Sequence, residues 1–266
     1  AKRIRAKGAQ LIGVAINDAV GYPPTGDIAV PDPAYHSTPI GPDSTTLEEA
    51  RQVIRDYDLT ERLPQNVVEY LMNAGPEGET PKEFPENTYF VLNNVPDSCI
   101  YAKQVAEKMG IPAIILTTSL EGESKDAGTV FAAIAREIQE YGNPVQAPCI
   151  VLSAGETTTQ ILDNKLNGGP SQELTVGFAI AAANCPGACM LSIDSEGTDG
   201  TTPVAGGITD SQSLAAAIQK GHDLHAALRG HAAYEALSGI GDVVFTGNTG
   251  TNVCDFNVLY VPARKA

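Results

Sequence analysis

The chain has 266 residues, 32 acidic against 17 basic side chains, and a formal net charge of −15. That balance argues against nucleic acid or an anionic membrane surface as partner, although a local basic pocket for phosphate stays compatible with it. An apolar fraction of 42% is ordinary for a globular protein, and no apolar run nears the roughly 18–20 residues that span a bilayer. Five cysteines, Cys99, Cys149, Cys185, Cys189 and Cys254, lack zinc spacing and read as buried thiols of a cytoplasmic protein.

Lys2-Arg-Ile-Arg-Ala-Lys7 runs almost directly into the strand-like Leu11–Ile16. With no initiator Met and no signal-peptide pattern, this start reads as that of a fragment or processed chain. From Asn17 to about Ser44, prolines and glycines argue for an irregular segment. Asp18 follows the strand directly, where a carboxylate would face a ligand crevice; a turn cap is the equal alternative. Thr45–Tyr57 is predicted helical, with Thr45/Glu48 or Thr46/Glu49 as capping box and Leu47, Ala50, Ile54 and Tyr57 on one face. Pro64 opens a second helix through Val67, Val68, Leu71 and Met72. The Pro- and Glu-rich stretch 76–87 is the expected domain boundary, giving domains 1–87 and 88–266.

An alternating pattern follows: strand Tyr89–Leu92, a helix capped by Asp97, strand Ala113–Thr117, helix Ser124–Tyr141 with Val130, Phe131, Ile134 and Ile138 inward, and strand Cys149–Ser153. This βαβαβ order predicts a parallel sheet. Glu156–Leu162 reads as an added strand, Asp163–Gly169 as a turn, Ser171–Asn184 as an alanine-rich helix and Ala188–Ile193 as a strand. After the loop Asp194–Gly207, a helical pattern begins near Asp210. Two short helices are expected over 211–238, then strands 242–245 and 256–261.

Three polar glycine-rich loops follow strands: Ser153–Thr158, Asp194–Gly207 and Thr246–Val253. Ligands bind at the carboxyl ends of strands in α/β sheets, glycines admit close backbone approach, and carboxylates suit Mg²⁺ or hydroxyl groups. Each loop alone also reads as self-capping turn structure. Phosphate-loop, dinucleotide and nucleophile-elbow motifs are absent from the sequence. His222 and His225 read as a solvated face rather than a metal pair.

Taken together, Thr249-Gly-Thr-Asn-Val-Cys-Asp255, Ser195–Gly207, Gly155-Glu-Thr-Thr158 and Leu120-Glu-Gly-Glu123 resemble the motifs of the type-2 glycerate kinases, whose C-terminal part is called the MOFRL domain. Asn17–Tyr22 and Asp27–Asp32 correspond more loosely. The resemblance implies an α/β protein with a parallel or mixed sheet flanked by helices, in a two-domain family whose first domain is incomplete here. It implies ATP- and Mg²⁺-dependent phosphorylation of D-glycerate to 2-phosphoglycerate. The partners implied are a small hydroxy acid and a nucleotide, and a separate chain that supplies the upstream half is a further reading. By motif position, Asp18 and Asp199 would be catalytic, and Glu196 and Asp199 would bind metal. Glu156, Thr157, Gln172, Glu173, Gly247, Thr249, Gly250, Thr251 and Asn252 would bind substrate or phosphate.

One departure stands out. The family's G-G-R-N-Q-E reads Gly168-Gly-Pro-Ser-Gln-Glu173 here, so Pro170 replaces the motif arginine, and Lys165 is the nearest cation in sequence. Proline carries no charge and no N–H, so it cannot clamp an anion. A non-catalytic ligand-binding or partner subunit is therefore the rival reading. Hydroxypyruvate reduction is a further one, disfavoured by the missing dinucleotide fingerprint.

Overall fold

The computed structural model describes residues 12–16, 45–80, 82, 88–93, 95–161 and 167–264. Asp18, Lys165 and the segment 17–44 lie outside them. The described residues fall into two compact units, one holding those up to Val91 except Ile16, the other Ile16 and those from Leu92 onward.

In the first unit, helix α1 (Leu47–Asp56) starts at a capping box between Thr46 and Glu49, the second of the two predicted pairs. Two backbone N–H groups are thereby satisfied, one by the Thr46 hydroxyl and one by the Glu49 carboxylate. Ile54 is buried, whereas Tyr57, expected on the same face, lies past the helix and is exposed. Helix α2 (Gln65–Asn73) follows Pro64 and buries Val68; Val67 and Met72 face outward. Strands β1 (Ile12–Ile16) and β2 (Thr88–Asn93) form a two-stranded sheet.

The second unit runs α3 (Val95–Lys108), β3 (Ala113–Leu120), α4 (Ser124–Tyr141), β4 (Cys149–Gly155), α5 (Pro170–Ala181), β5 (Cys189–Asp194), β6 (Gly206–Asp210), α6 (Ser213–Gln219), α7 (Leu224–Gly230), α8 (Ala233–Ile240), β7 (Val243–Val244) and β8 (Asp255–Val261). Its six strands are ordered β3-β4-β8-β5-β6-β7. Only β3 and β4 pair in parallel; β8 lies antiparallel between β4 and β5. The sheet is therefore mixed, and the parallel reading is corrected: β2 pairs with β1, and β8 takes the place beside β4.

Four further expectations change. Asp97 sits inside the first turn of α3, which begins at Val95. Residues 156–161 form no strand, only a bridge between Thr158 and Glu123. The loop after β5 leads into strand β6, not a helix, because Gly206 and Gly207 let the chain turn back against Ser192 and Ile193. Three short helices, not two, precede β7.

Two apolar layers sandwich the sheet. On one face Val151, Met190, Leu259 and Val261 pack against Phe131, Leu174 and Phe178 of α4 and α5. On the other, Leu152 and Ala154 meet Val95 and Cys99 of α3. Helix α5 is buried on all sides from Ser171 to Ala179, which explains its small, weakly amphipathic residues. Val130, expected inward on α4, is exposed, whereas Phe131 and Ile138 are buried. Among the described residues none of the five cysteines forms a disulfide, and four are buried. No helix among the described residues is long and apolar enough to cross a membrane.

Helices α4 and α5 meet at glycines. A Cβ at Gly128 would overlap the Leu174 carbonyl oxygen, and one at Gly177 would overlap that of Lys125. Both obstacles are backbone, so neither moves cheaply. Gly128→Ala is expected to lower unfolding free energy by about 1–3 kcal/mol, the usual cost of overpacking. A urea denaturation midpoint unchanged from that of the parent would contradict this.

Candidate functional site

The site is set by strand register. Gly155 of β4 and Asp194 of β5 both pair with Asp255 at the start of β8. Because β4 and β5 are each antiparallel to β8, their carboxyl ends share one sheet edge, and Asp255 lies between them. Glu156 continues from β4, and the loop 195–205 continues from β5. A cavity of about 280 Å³ at this edge is lined by Glu156, Asp194, Glu196, Asp199 and Asp255, with Pro170, Thr198, Gly200, Asn252 and Cys254. Beside it a wider hollow of about 500 Å³ is lined by Glu196, Thr198, Asn248, Gly250, Thr251 and Asn252. No lysine or arginine among the described residues lines either one.

Asp199 closes the floor by capping α5 from a distance. Its carboxylate accepts from the backbone N–H of Ser171 (3.2 Å) and Gln172 (2.8 Å) and from Gln172 Nε2 (2.8 Å). A negative group at a helix N-terminus satisfies orphan N–H groups and opposes the helix dipole. The approach needs glycine on both sides, since a Cβ at Gly169 would strike the Asp199 carboxylate and one at Gly200 the Gly168 carbonyl. Gln172 Nε2 also donates to Thr202 Oγ1 at 2.9 Å, so Gln172 holds the loop rather than facing the cavity.

The remaining predicted residues divide by surroundings. Glu156 and Glu196 line the cavity. Thr157 is buried, its Oγ1 2.9 Å from Ser124 Oγ. Glu173 is buried against His231, with Oε1 2.7 Å from Nδ1, and lines neither hollow. In the loop 246–254, Thr249 N–H donates to the Glu196 carbonyl (3.1 Å), and Val253 N–H to Ser195 Oγ (2.7 Å). Gly250 N–H donates to Asn248 Oδ1 (2.8 Å), Thr251 N–H to Thr249 Oγ1 (3.4 Å) and Cys254 N–H to Asn252 Oδ1 (3.0 Å). Most of the expected anion nest is thus spent on bonds within the loop itself and on two bonds to the loop 195–205. Gly247 supplies a left-handed turn at φ 69°. Thr251 and the side chain of Asn252 face the wider hollow, and Asn252 Nδ2 reaches Glu196 Oε2 at 3.4 Å.

Sequence reasoning overlooked Asp194 and Asp255 as site residues. Each ends or starts a strand, and only the pairing across β8 brings them together.

Crowding of carboxylates marks the electrostatics. Burial, then Glu196 and Glu156, pushes Asp194 up to about 6 despite a bond from Glu196 N–H. Burial also pushes Asp199 up to about 6, against the lowering effect of its three donors. Asp255 is raised well above the carboxylate range by burial first, then by Asp199, Asp194 and Glu156. The arrangement suits a hard cation or a hydroxyl-rich ligand, and repels a bare anion.

Such raised acids hold protons in the folded state that the unfolded chain releases. Between the unfolded value of 3.8 and the folded value of about 6, stability falls as pH rises. The melting temperature is expected to increase as pH is lowered from 6.5 to 4.5, across the window in which the folded acids hold protons that the unfolded chain releases. Asp199 alone accounts for about 3 kcal/mol at most, from 1.36 kcal/mol per pKa unit. Calorimetry on the parent and Asp199→Asn checks this: the variant should show a flatter profile, and a parent that melts lower at the acid end would refute it.

Residues 149–255 match the MOFRL family. The chain is 36% identical over 235 residues to a glycerate 2-kinase of Pyrococcus horikoshii, covering 87% of this chain and 53% of that protein. A protein of Agrobacterium vitis provisionally named a hydroxypyruvate reductase is 33% identical, over 96% of this chain and 64% of its own length. The crystal structure of a glycerate kinase from Thermotoga maritima superposes with a TM-score of 0.74 at 30% identity, covering 95% of this chain and 57% of that one. Most of the chain is therefore homologous to glycerate 2-kinases, and it spans about half the length of the curated relatives it matches.

Proposed function

We propose that this chain, as a glycerate 2-kinase homologue, forms one wall of a crevice for ATP-dependent phosphorylation of D-glycerate to 2-phosphoglycerate. The observation that carries the reading is the cavity of five carboxylates at the common end of β4 and β5, where β8 begins. Phosphoryl transfer is chiefly a matter of positioning and charge compensation. A triphosphate is repelled by this wall unless cations come with it.

Mg²⁺ fits the five carboxylates of the cavity, which outnumber its single thiol, Cys254. Among the described residues, no three His, Cys, Asp or Glu side chains converge to hold a metal unaided. That accords with an ion held by one or two carboxylates and by substrate phosphates. Glu196, with Asp194 beside it, is the natural holder at the mouth; Asp199 contributes less, because α5 occupies its carboxylate. When bound, the ion neutralises charge on the phosphates. Thr251 and Asn252 offer polar groups to the nucleotide or hydroxy acid in the wider hollow. Asp18, placed by motif beyond strand β1, is the proposed base or hydroxyl orienter. The upstream half of such a kinase, in the same polypeptide or a separate one, would supply the missing cations.

The test is a ³¹P NMR assay of the chain with ATP, Mg²⁺ and D-glycerate, alone and with the upstream half added. 2-Phosphoglycerate is the expected product. Folded protein that yields none under either condition would sink the reading. Oxidation of NADH by hydroxypyruvate would instead favour a reductase.

Pro170 favours the second reading, a ligand-binding subunit without transfer chemistry. It occupies the first turn of α5 and lines the cavity, so a side chain there addresses the ligand directly. Pro170→Arg would add a guanidinium to a wall that has none. It is expected to raise kcat/KM at least about tenfold, the worth of one charge-assisted hydrogen bond. Ligand binding by calorimetry with no turnover in either protein would support the non-catalytic subunit.

A further inference from the structure

The turn that leads into α5 is held from two directions. From the cavity, Asp199 accepts from the N–H groups of Ser171 and Gln172, over glycines at 169 and 200 that leave room for it. The corner between α7 and α8 holds the same turn elsewhere. Tyr234 N–H donates to the Asn167 carbonyl (3.1 Å), and Asn167 N–H donates to Glu235 Oε1 (3.3 Å). A Cβ at Gly168 would come within 3.4 Å of Ala233 and 3.5 Å of the His231 ring. Farther along α5, Val176 and Ala179 pack with Leu224, Ala233 and Leu237.

Glu173 and His231 link the corner to the first turn of α5. His231 is the left-handed residue between α7 and α8 (φ 54°), and its Nδ1 lies 2.7 Å from Glu173 Oε1. Both side chains are buried. A buried carboxyl is costly unless it is paired. The other charged groups that bear on Glu173 are Glu123 and Lys125 at the start of α4, which pair with each other at 2.7 Å. Burial pushes Glu173 up, and the bond to His231 is the largest effect that opposes it. Loss of the imidazole would strip that carboxyl of its hydrogen-bond partner, one residue after Gln172, whose N–H holds Asp199.

We propose that His231 and Glu173 are positioning residues for the acidic cavity: their contact fixes the turn 167–173 and thereby sets Pro170 and the Asp199 cap in the cavity wall. Their part in phosphoryl transfer rests on the crevice reading; the coupling to the wall does not. Glu173, a ligand-binding residue by motif position, acts one layer behind the ligand.

Amide hydrogen exchange followed by NMR tests the coupling in the folded chain. His231→Gly suits the left-handed backbone and deletes the imidazole; His231→Asn suits it too and returns an N–H donor close to the place of Nδ1. In His231→Gly, exchange at Ser171 and Gln172 should rise at least about tenfold relative to Leu152 and Leu259 in the central strands, the effect of one lost buried hydrogen bond. In His231→Asn it should stay within about threefold of the parent. Should His231→Gly fail to fold, Glu173→Ala against Glu173→Gln makes the same comparison. Exchange that rises equally at all four amides, or equally in the Gly and Asn variants, overturns the proposal. With the upstream half, ATP, Mg²⁺ and D-glycerate, kcat/KM should fall about tenfold in His231→Gly and recover in His231→Asn; an unchanged value overturns the positioning role. The exchange measurement requires no turnover, so a parent that forms no product counts against the kinase reading alone.

Discussion

The antiparallel insertion of β8 between β4 and β5 governs everything at the acidic edge. Without it, Gly155 and Asp194 would end on unrelated strands. With it, Asp255 is hydrogen-bonded into both neighbours through the backbone, and three chain segments deliver carboxylates to one small volume. The electrostatic cost of that crowding is borne by the packing behind it. Helix α5, buried on every side, is held against the same face by Leu174 and Phe178 and by the close glycine contact with α4. The fold fixes the carboxylates rather than letting them spread.

Asp199 shows how one residue serves structure while lying in a functional place. Its oxygens tie the loop 195–205 to the start of α5, and its backbone N–H donates to Val204 while its carbonyl accepts from Thr202 Oγ1. Motif position points to chemistry; geometry points first to positioning. Glu173 is similar, drawn into a pair with His231 at the left-handed end of α7. Glu196 differs, because it is exposed at the mouth of both hollows and its partners there are neutral.

Much of the fold was legible because its periodicities are strong. The bounds of α4 and the Thr46/Glu49 start of α1 follow directly from residue pattern and capping chemistry. Strand β6 was not legible, since five residues with two glycines resemble a loop until their partner β5 is known. The same holds for sheet order: an apolar strand looks alike in parallel and antiparallel company, so the position of β8 could not be read from its sequence. The acidic loop was visible as a ligand candidate from its composition. Asp255 was not, because its significance lies in register, which is a long-range property.

The capping of α5 by Asp199 has a further consequence. Helix N-termini commonly lend anion sites their favourable potential, but here an internal carboxylate has already claimed it. Any phosphate or carboxylate entering the crevice must therefore arrive with its own counter-charge. Thermodynamic linkage then makes cation and anion mutually dependent, each raising the affinity for the other by the same factor. On the proposed reading the acidic wall accepts a cation alone, and an anion only together with one.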